Sequence, residues 1–79
     1  MDDTTLFDVK LIEKESAKRT LKEVYEILKE RGYNPINQIV GYLMSGDPGY
    51  ISSYKDAREK ILSVDRAELL AYLLGDYLL

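Results

Sequence analysis

The stretch that decides the fold is RGYNPINQIVGYLMSGDPGY, residues 31–50, in which turn-forming residues bracket one apolar segment. The apolar residues inside it recur at the three- and four-residue steps of an amphipathic helix: Ile36, Ile39, Val40, Leu43 and Met44. Asn34 suits the N-cap, Pro35 suits the first helical position, and Gly46 suits the left-handed end of a helix. The stretch therefore predicts one helix with a defined boundary at each end.

A second helix is predicted immediately before this stretch. Thr20 and Glu23 have the spacing of a capping box, and apolar residues follow at helical steps from Leu21 to Leu28. The helix starts at residue 21 if Thr20 is the cap, or at residue 17 if Ser16 is. Gly32 ends it, and the short link to Pro35 predicts a tight hairpin of two helices.

After Gly46 the pattern becomes less regular. Asp47 and Pro48 repeat the cap-and-proline signature, which predicts either a plain turn or one short helical turn. Ser52 or Ser53 then caps a further helix that runs to about Leu62. Because that helix is mostly charged, we expect it to be the most exposed one.

The last predicted helix starts after Ser63 or Asp65 and is apolar around most of its circumference. Its large apolar residues are Leu69, Leu70, Tyr72, Leu73, Leu74, Tyr77 and Leu78. Such a helix needs burial on two sides, and a chain of 79 residues cannot readily supply both. We expect one face to pack on the chain's own core and the other on a second copy, in a two-fold homodimer.

Residues 1–15 differ from the rest of the chain. Phe7, Val9 and Leu11 alternate with polar residues, a period of two that fits either a short edge strand or a mobile arm. We favour a flexible N-terminal arm with Phe7 as its main apolar anchor. The predicted fold is all-α: a compact, homodimeric bundle of four to five short helices over residues 16–79, preceded by the arm at residues 1–15.

The amino-acid composition excludes several classes of functional site. The chain has no Cys and no His, which excludes a disulfide framework, a thiol nucleophile and the commonest metal ligands. No apolar run is long enough for a membrane span, and the N-terminus is acidic where a signal peptide would be basic. We predict a cytoplasmic protein that is not an enzyme, binds no metal or cofactor and does not insert into membranes.

The net charge of −3 argues against a nucleic-acid module. A local basic cluster does occur at Lys55, Arg58 and Lys60, but Asp56 and Glu59 interrupt it, so a solvated helix face is the first interpretation. A helix-turn-helix DNA-binding dimer is kept as the alternative function, because a short glycine-containing turn precedes this segment.

Three residues of the opening stretch are not explained as caps. Asn37 and Gln38 serve either as extra capping and solvent-exposed groups or as contacts to a partner. Gly41 lies in the middle of the helix, where glycine costs about 1 kcal/mol relative to alanine. We interpret it as a place where another helix approaches closely.

Three segments together resemble a known family: GYNPINQIVGYLMSGDP at residues 32–48, KDAR at 55–58 and DRAELLAYLLGDYL at 65–78. They are similar to the IreB family of Firmicutes regulatory phosphoproteins, and the resemblance runs from about Thr4 onward. It implies an all-helical homodimer with a flexible tail. It also implies a substrate of the membrane-bound, PASTA-domain Ser/Thr kinase that monitors the cell wall, with a phosphatase reversing the modification.

The same resemblance implies a role in cell-envelope stress and cephalosporin tolerance, through Clp-type proteolysis of the enolpyruvyl transferase that commits precursors to peptidoglycan. Its tail threonine stands three residues before an aromatic residue, which makes Thr4 the first choice and Thr5 the second. Phosphate there would act electrostatically, by drawing the arm towards Lys55, Arg58 and Lys60 or by repelling an acidic partner.

The resemblance and the patterns give two further sets of site residues. The partner-binding candidates are Lys55, Arg58, Asn37 and Gln38. The candidates for core or dimer packing are Gly41, Leu69, Leu70, Leu73, Leu74 and Tyr77. Arg58 matches a family arginine, whereas Ser52 and Ser53 stand where many members carry Pro-Arg, so one basic position is lost.

Overall fold

The computed structural model describes residues 14–79, and every regular element in this part of the chain is helical. Four α-helices occur in order: α1 (Lys14–Arg31), α2 (Pro35–Ser45), α3 (Ala57–Leu62) and α4 (Arg66–Leu78). Two short 3-10 turns, Pro48–Tyr50 and Tyr54–Asp56, lie between α2 and α3. The all-α class is confirmed for the described residues, while the arm lies almost wholly outside them.

α1 begins earlier than either predicted start, and the capping interpretation of Thr20 is wrong. Thr20 is only 7% exposed and lies within the helix, on a buried face that also contains Ala17, Val24 and Leu28. Because this three- and four-residue pattern extends back to Ala17, packing continues the helix past the local capping signal. At the other end Gly32 has a φ of 90°, as its predicted role requires.

Both predicted ends of α2 are confirmed. The Asn34 side chain accepts a hydrogen bond from the Asn37 backbone N–H at 3.1 Å. Gly46 is left-handed, with a φ of 76°, and its N–H donates to the Tyr42 carbonyl at 2.7 Å. These two caps fix the length of α2 independently of the rest of the fold.

The core surrounds α1, which contacts each of the other three α-helices. Its apolar members come from all four α-helices and from the loops: Ala17, Val24, Leu28, Ile39, Tyr42, Ile51, Ala57, Ile61, Val64 and Leu69. Removing these side chains from water is the main source of stability in so small a domain.

α3 is shorter and better buried than the sequence predicts. A helix running on from Ser52 or Ser53 is excluded because Lys55 and Asp56 have φ values of 48° and 63°, which interrupt it. Ala57 and Ile61 are completely buried against α1. The expectation that this helix is the most exposed one is therefore wrong.

α4 is the exposed helix instead. Asp65 occupies its N-cap position, although its side chain makes no capping hydrogen bond. Only Leu69 is buried and Tyr72 packs partly against the core. The remaining large apolar side chains of the helix are exposed by 39% to 86%: Leu70, Leu73, Leu74, Tyr77 and Leu78. One apolar face therefore packs on the core, as expected, and the contact of the other face with a second copy remains a prediction.

Candidate functional site

The segment that leads into α3, residues 46–56, is called here the α3 approach. Asp47 caps its first turn, because its side-chain oxygen accepts from the Gly49 N–H at 2.8 Å. The Tyr50 ring then lies directly over Gly41: a Cβ added at Gly41 would be 2.4 Å from Tyr50 Cδ1. The close approach predicted at Gly41 is thus made by this ring and not by another helix.

Gln38 holds the middle of the α3 approach. Its side-chain oxygen accepts a hydrogen bond from the Ser52 N–H at 3.0 Å, in a partly buried position. The neighbouring Asn37 uses its backbone N–H for the cap of α2 and is exposed. Of the two amide residues predicted as partner contacts, Gln38 therefore makes a hydrogen bond within the chain, whereas the Asn37 side chain is exposed.

Two arginines donate hydrogen bonds to backbone carbonyls, one within the α3 approach and one in α2 just before it. Arg58 Nε donates to the carbonyl of Ile51 at 2.8 Å, and Ile51 itself is fully buried. Arg66 Nη1 donates to the carbonyl of Leu43 at 3.2 Å, near the end of α2, where a cation is favoured. Arg58 thus has a structural contact beside any partner contact it makes.

The second 3-10 turn is joined to α1 through Glu30. Lys55 Nζ lies 2.8 Å from Glu30 Oε2, and the Tyr54 hydroxyl donates to the same oxygen at 3.2 Å. The hydrogen bond from Lys55 is the main reason why the pKa of Glu30 is lowered, and the same bond raises the pKa of Lys55. Both side chains are about half exposed, so the pair holds the turn only weakly.

The three cations of the predicted basic cluster are therefore dispersed. Lys55 pairs with Glu30, Lys60 lies 3.8 Å from Glu23, and the Arg58 guanidinium faces a backbone carbonyl. α3 is six residues long and buries two of them. The described residues thus assemble no continuous basic face at α3, which counts against the helix-turn-helix alternative.

An apolar groove lies on the other side of α2, and sequence reasoning did not find it. Its volume is about 260 Å³. It is lined by side chains from three helices: Leu21, Tyr25, Ile36, Ile39, Val40, Leu43 and Leu73. The width of the apolar stripe on α2 is the signal that could have indicated it, because Ile36 and Val40 remain 58% and 44% exposed.

The predicted phosphorylation sites lie outside the part of the chain that the structure describes. Thr4 and Thr5 precede residue 14, so the structure gives no geometry for them. Among residues 14–79, no group of three or more potential ligand side chains could hold a metal ion. No helix in that range is both long and apolar enough to cross a membrane.

Residues 14–79 thus form a small all-helical domain whose exposed apolar surface is concentrated on α2 and α4. The chain belongs to the IreB family, since a model of the family described as "IreB regulatory phosphoprotein" matches residues 2–79. It is also similar to a UPF0297 protein from Acetivibrio thermocellus, with 51% identity over 77 residues that cover 98% of this chain and 86% of the relative. The family membership expected from the sequence is confirmed.

Proposed function

We propose that this chain is a non-enzymatic phosphorylation switch, modified on Thr4 or Thr5 by a PASTA-domain Ser/Thr kinase and restored by a phosphatase. The observation that carries the proposal is the family match, which extends from residue 2 and so includes both threonines. The family is described as a regulatory phosphoprotein. Phosphate would add about −1.5 to −2 charge to an arm that is already acidic.

Burial supports the choice of the arm. The chain contains three threonines, and the third, Thr20, is 7% exposed in the middle of α1. A kinase needs its acceptor hydroxyl in an accessible backbone, and a buried helical hydroxyl does not meet that need. Thr4 and Thr5 are therefore the threonine acceptors to test.

The test is incubation of the full chain with the cognate kinase and ATP, followed by mass spectrometry of the intact protein and its peptides. We expect single phosphate incorporation that Thr4→Ala abolishes or moves to Thr5. Ser53→Ala, at an exposed hydroxyl of the α3 approach, serves as the control. Incorporation that survives the double substitution of Thr4 and Thr5 would place the switch elsewhere.

We also propose that the protein is a homodimer through the outer face of α4. Leu70, Leu74 and Tyr77 are 41%, 59% and 86% exposed, an unusual loss of apolar burial for so small a domain. Sedimentation of the wild type at micromolar concentration should show a dimer, and Leu74→Asp should dissociate it. Leu62→Asp on α3, at a leucine that is 49% exposed, is the matched control and should leave the dimer intact.

In the cell, the proposed role is control of envelope stress and cephalosporin tolerance through Clp-type proteolysis of a peptidoglycan-precursor enzyme. We expect Thr4→Ala and a phosphomimetic Thr4→Glu to change cephalosporin tolerance and the level of that enzyme in opposite directions. A purely structural subunit would instead tolerate deletion of residues 1–8. A pull-down that compares the unmodified chain with Thr4→Glu would identify the direct partner.

A further inference from the structure

We propose that the N-terminal arm folds back along α1 of its own chain and seats Phe7 in the apolar groove between α1, α2 and α4. The occupant is thus residues 1–13, the segment directly connected to the groove wall through α1. The arm carries the only Phe of the protein, within an alternating apolar row.

The size of the groove fits an aromatic side chain. Its volume of about 260 Å³ is below the roughly 300 to 1,000 Å³ of typical small-molecule sites. An apolar cavity of about 150 Å³ already accommodates benzene. All seven lining residues are apolar or aromatic, which suits a phenyl ring and offers few partners for a polar ligand.

An extended arm that runs back along α1 would bring Phe7 to this groove. An extended chain advances about 3.3 Å per residue and a helix about 1.5 Å, so a returning arm passes about two helical residues with each of its own. If the chain reverses just before α1 begins at Lys14, Val9 would come level with Leu21 and Phe7 with Tyr25. Leu21 and Tyr25 are the two α1 residues that line the groove.

Charge favours the same direction. The arm begins with Asp2 and Asp3, and this register takes its first residues past Tyr25 towards the last turn of α1, which carries Lys29 and Arg31. Lys29 Nζ lies 5.8 Å from the centroid of the Tyr25 ring, so the cation borders the groove. α2 carries no charged residue that would oppose an acidic segment.

This arrangement predicts whether phosphorylation promotes or prevents the binding of a partner at the groove. The prediction rests on the proposed phosphorylation of Thr4 or Thr5. In the same register Thr4 would lie level with the end of α1, close to Lys29. A phosphothreonine there gains charge-assisted hydrogen bonds and strengthens docking. The modified arm would cover Val40 and Leu73 more fully, and a partner that binds this groove would be displaced by phosphorylation.

Because the chain has no Cys, a single spin label can be placed cleanly. Asp8→Cys carries a nitroxide beside Phe7, and amide signals of the full, 15N-labelled chain report its position. We expect strong loss of signal at Val40 and Leu43 and little at Glu59 on α3. Equal effects on α2 and α3, or no effect on either, would overturn the proposal.

Two controls separate docking from other causes. Phe7→Ala should restore the Val40 and Leu43 signals, whereas Leu6→Ala, on the opposite side of the alternating row, should not. In a mixture of spin-labelled unenriched chain with unlabelled 15N chain, the signal loss at Val40 and Leu43 should be much weaker than within one chain. Signal loss in that mixture equal to the loss within one chain would mean that the arm enters the groove of another copy, which contradicts the proposal.

The phosphate step is tested separately on protein modified by the kinase. Phosphorylation should deepen the signal loss at Val40, and Lys29→Glu should remove that increment while Lys60→Glu on α3 leaves it. If the unmodified arm does not dock although the kinase modifies Thr4, this inference fails and the proposed function stands. If the arm docks but no kinase modifies it, the proposed function fails alone.

Discussion

α3 and α4 show opposite relations between composition and burial. α3 has two cations and one carboxylate among six residues, yet its Ala57 and Ile61 are completely buried. α4 has twice the length and far more apolar side chains, yet only Leu69 among them is buried. The amount of apolar surface on a helix therefore does not determine how much of it the monomer buries.

The difference comes from how each helix reaches α1. The α3 approach is fixed at several points, by Tyr50 over Gly41, by Gln38 on Ser52 and by Glu30 on Lys55, so a short helix is held in contact with α1. α4 follows a short link and extends beyond the core. A short, well-positioned helix completes the core, whereas the long apolar one leaves most of its large apolar side chains exposed.

The sharpest test of this comparison is truncation of one apolar side chain on each helix. Ile61→Ala should lower the free energy of unfolding by about 2 to 5 kcal/mol, because it leaves a cavity in the core. Leu74→Ala, at a side chain that is 59% exposed, should change it by no more than about 0.5 kcal/mol. Urea unfolding at low protein concentration measures both with little contribution from a dimer. Equal losses of stability in the two variants would contradict the difference in burial between α3 and α4.

A second test removes the contact at the start of the α3 approach. Gly41→Ala should destabilise the protein by about 1 to 3 kcal/mol, because the added methyl group displaces the Tyr50 ring. In a Tyr50→Ala background the same change should instead stabilise by up to about 1 kcal/mol, through helix propensity. Thermal unfolding of the four proteins of this cycle gives the coupling. An unchanged effect of Gly41→Ala in both backgrounds would contradict the contact.

A third test concerns Lys55, one of the two left-handed residues in the 3-10 turn that precedes α3. Lys55 has a φ of 48°, so Lys55→Gly should be more stable than Lys55→Ala by about 1 kcal/mol, and both lose the same ion pair. At Lys60, inside α3, the order should reverse, with Ala more stable than Gly by about the same amount. Chemical denaturation of the four variants measures these differences. The same order of stability at both positions would contradict a left-handed backbone at Lys55.

The smallest expected effect is the pH dependence of the Lys55–Glu30 pair. Since the pKa of Glu30 is lowered in the folded state, its contribution is present above the ordinary glutamate pKa and is lost as pH falls through the lowered value. The raised pKa of Lys55 means that its contribution is lost as pH rises through that value. The stability difference between wild type and Lys55→Ala should therefore be largest near neutral pH. A difference that is constant from acid to alkaline pH would exclude the pair as its cause.

The parts of the fold that could be predicted are those encoded by neighbouring residues. Asn34, Pro35 and Gly46 fix both ends of α2 because each acts on its own backbone or the next turn. Thr20 misled the prediction for α1, because burial of Ala17 on the same face outweighs a local cap. The left-handed backbone at Lys55 interrupts the predicted helix, and no local pattern indicates either this break or the pairing of Lys55 with Glu30, which is far away in sequence.

The candidate site divides in the same way. The family motif brought Lys55 and Arg58 to attention, but their partners, Glu30 and the Ile51 carbonyl, follow only from the folded structure. The groove requires side chains from three helices at once, so periodicity within one helix could only hint at it. Local chemistry predicts elements, whereas long-range contacts determine which of their residues remain available.

The contact between Arg66 and Leu43 has a mechanical consequence. Arg66 is the first residue of α4, and it holds the carbonyl of a residue whose side chain lines the groove. There is no room for a side chain at Gly46, because an added Cβ would lie 2.7 Å from the Arg66 guanidinium. α4 is therefore joined to the groove wall at two places, by the Arg66 hydrogen bond to the Leu43 backbone and by the Leu73 side chain, so a displacement of α4 would change the shape of the groove.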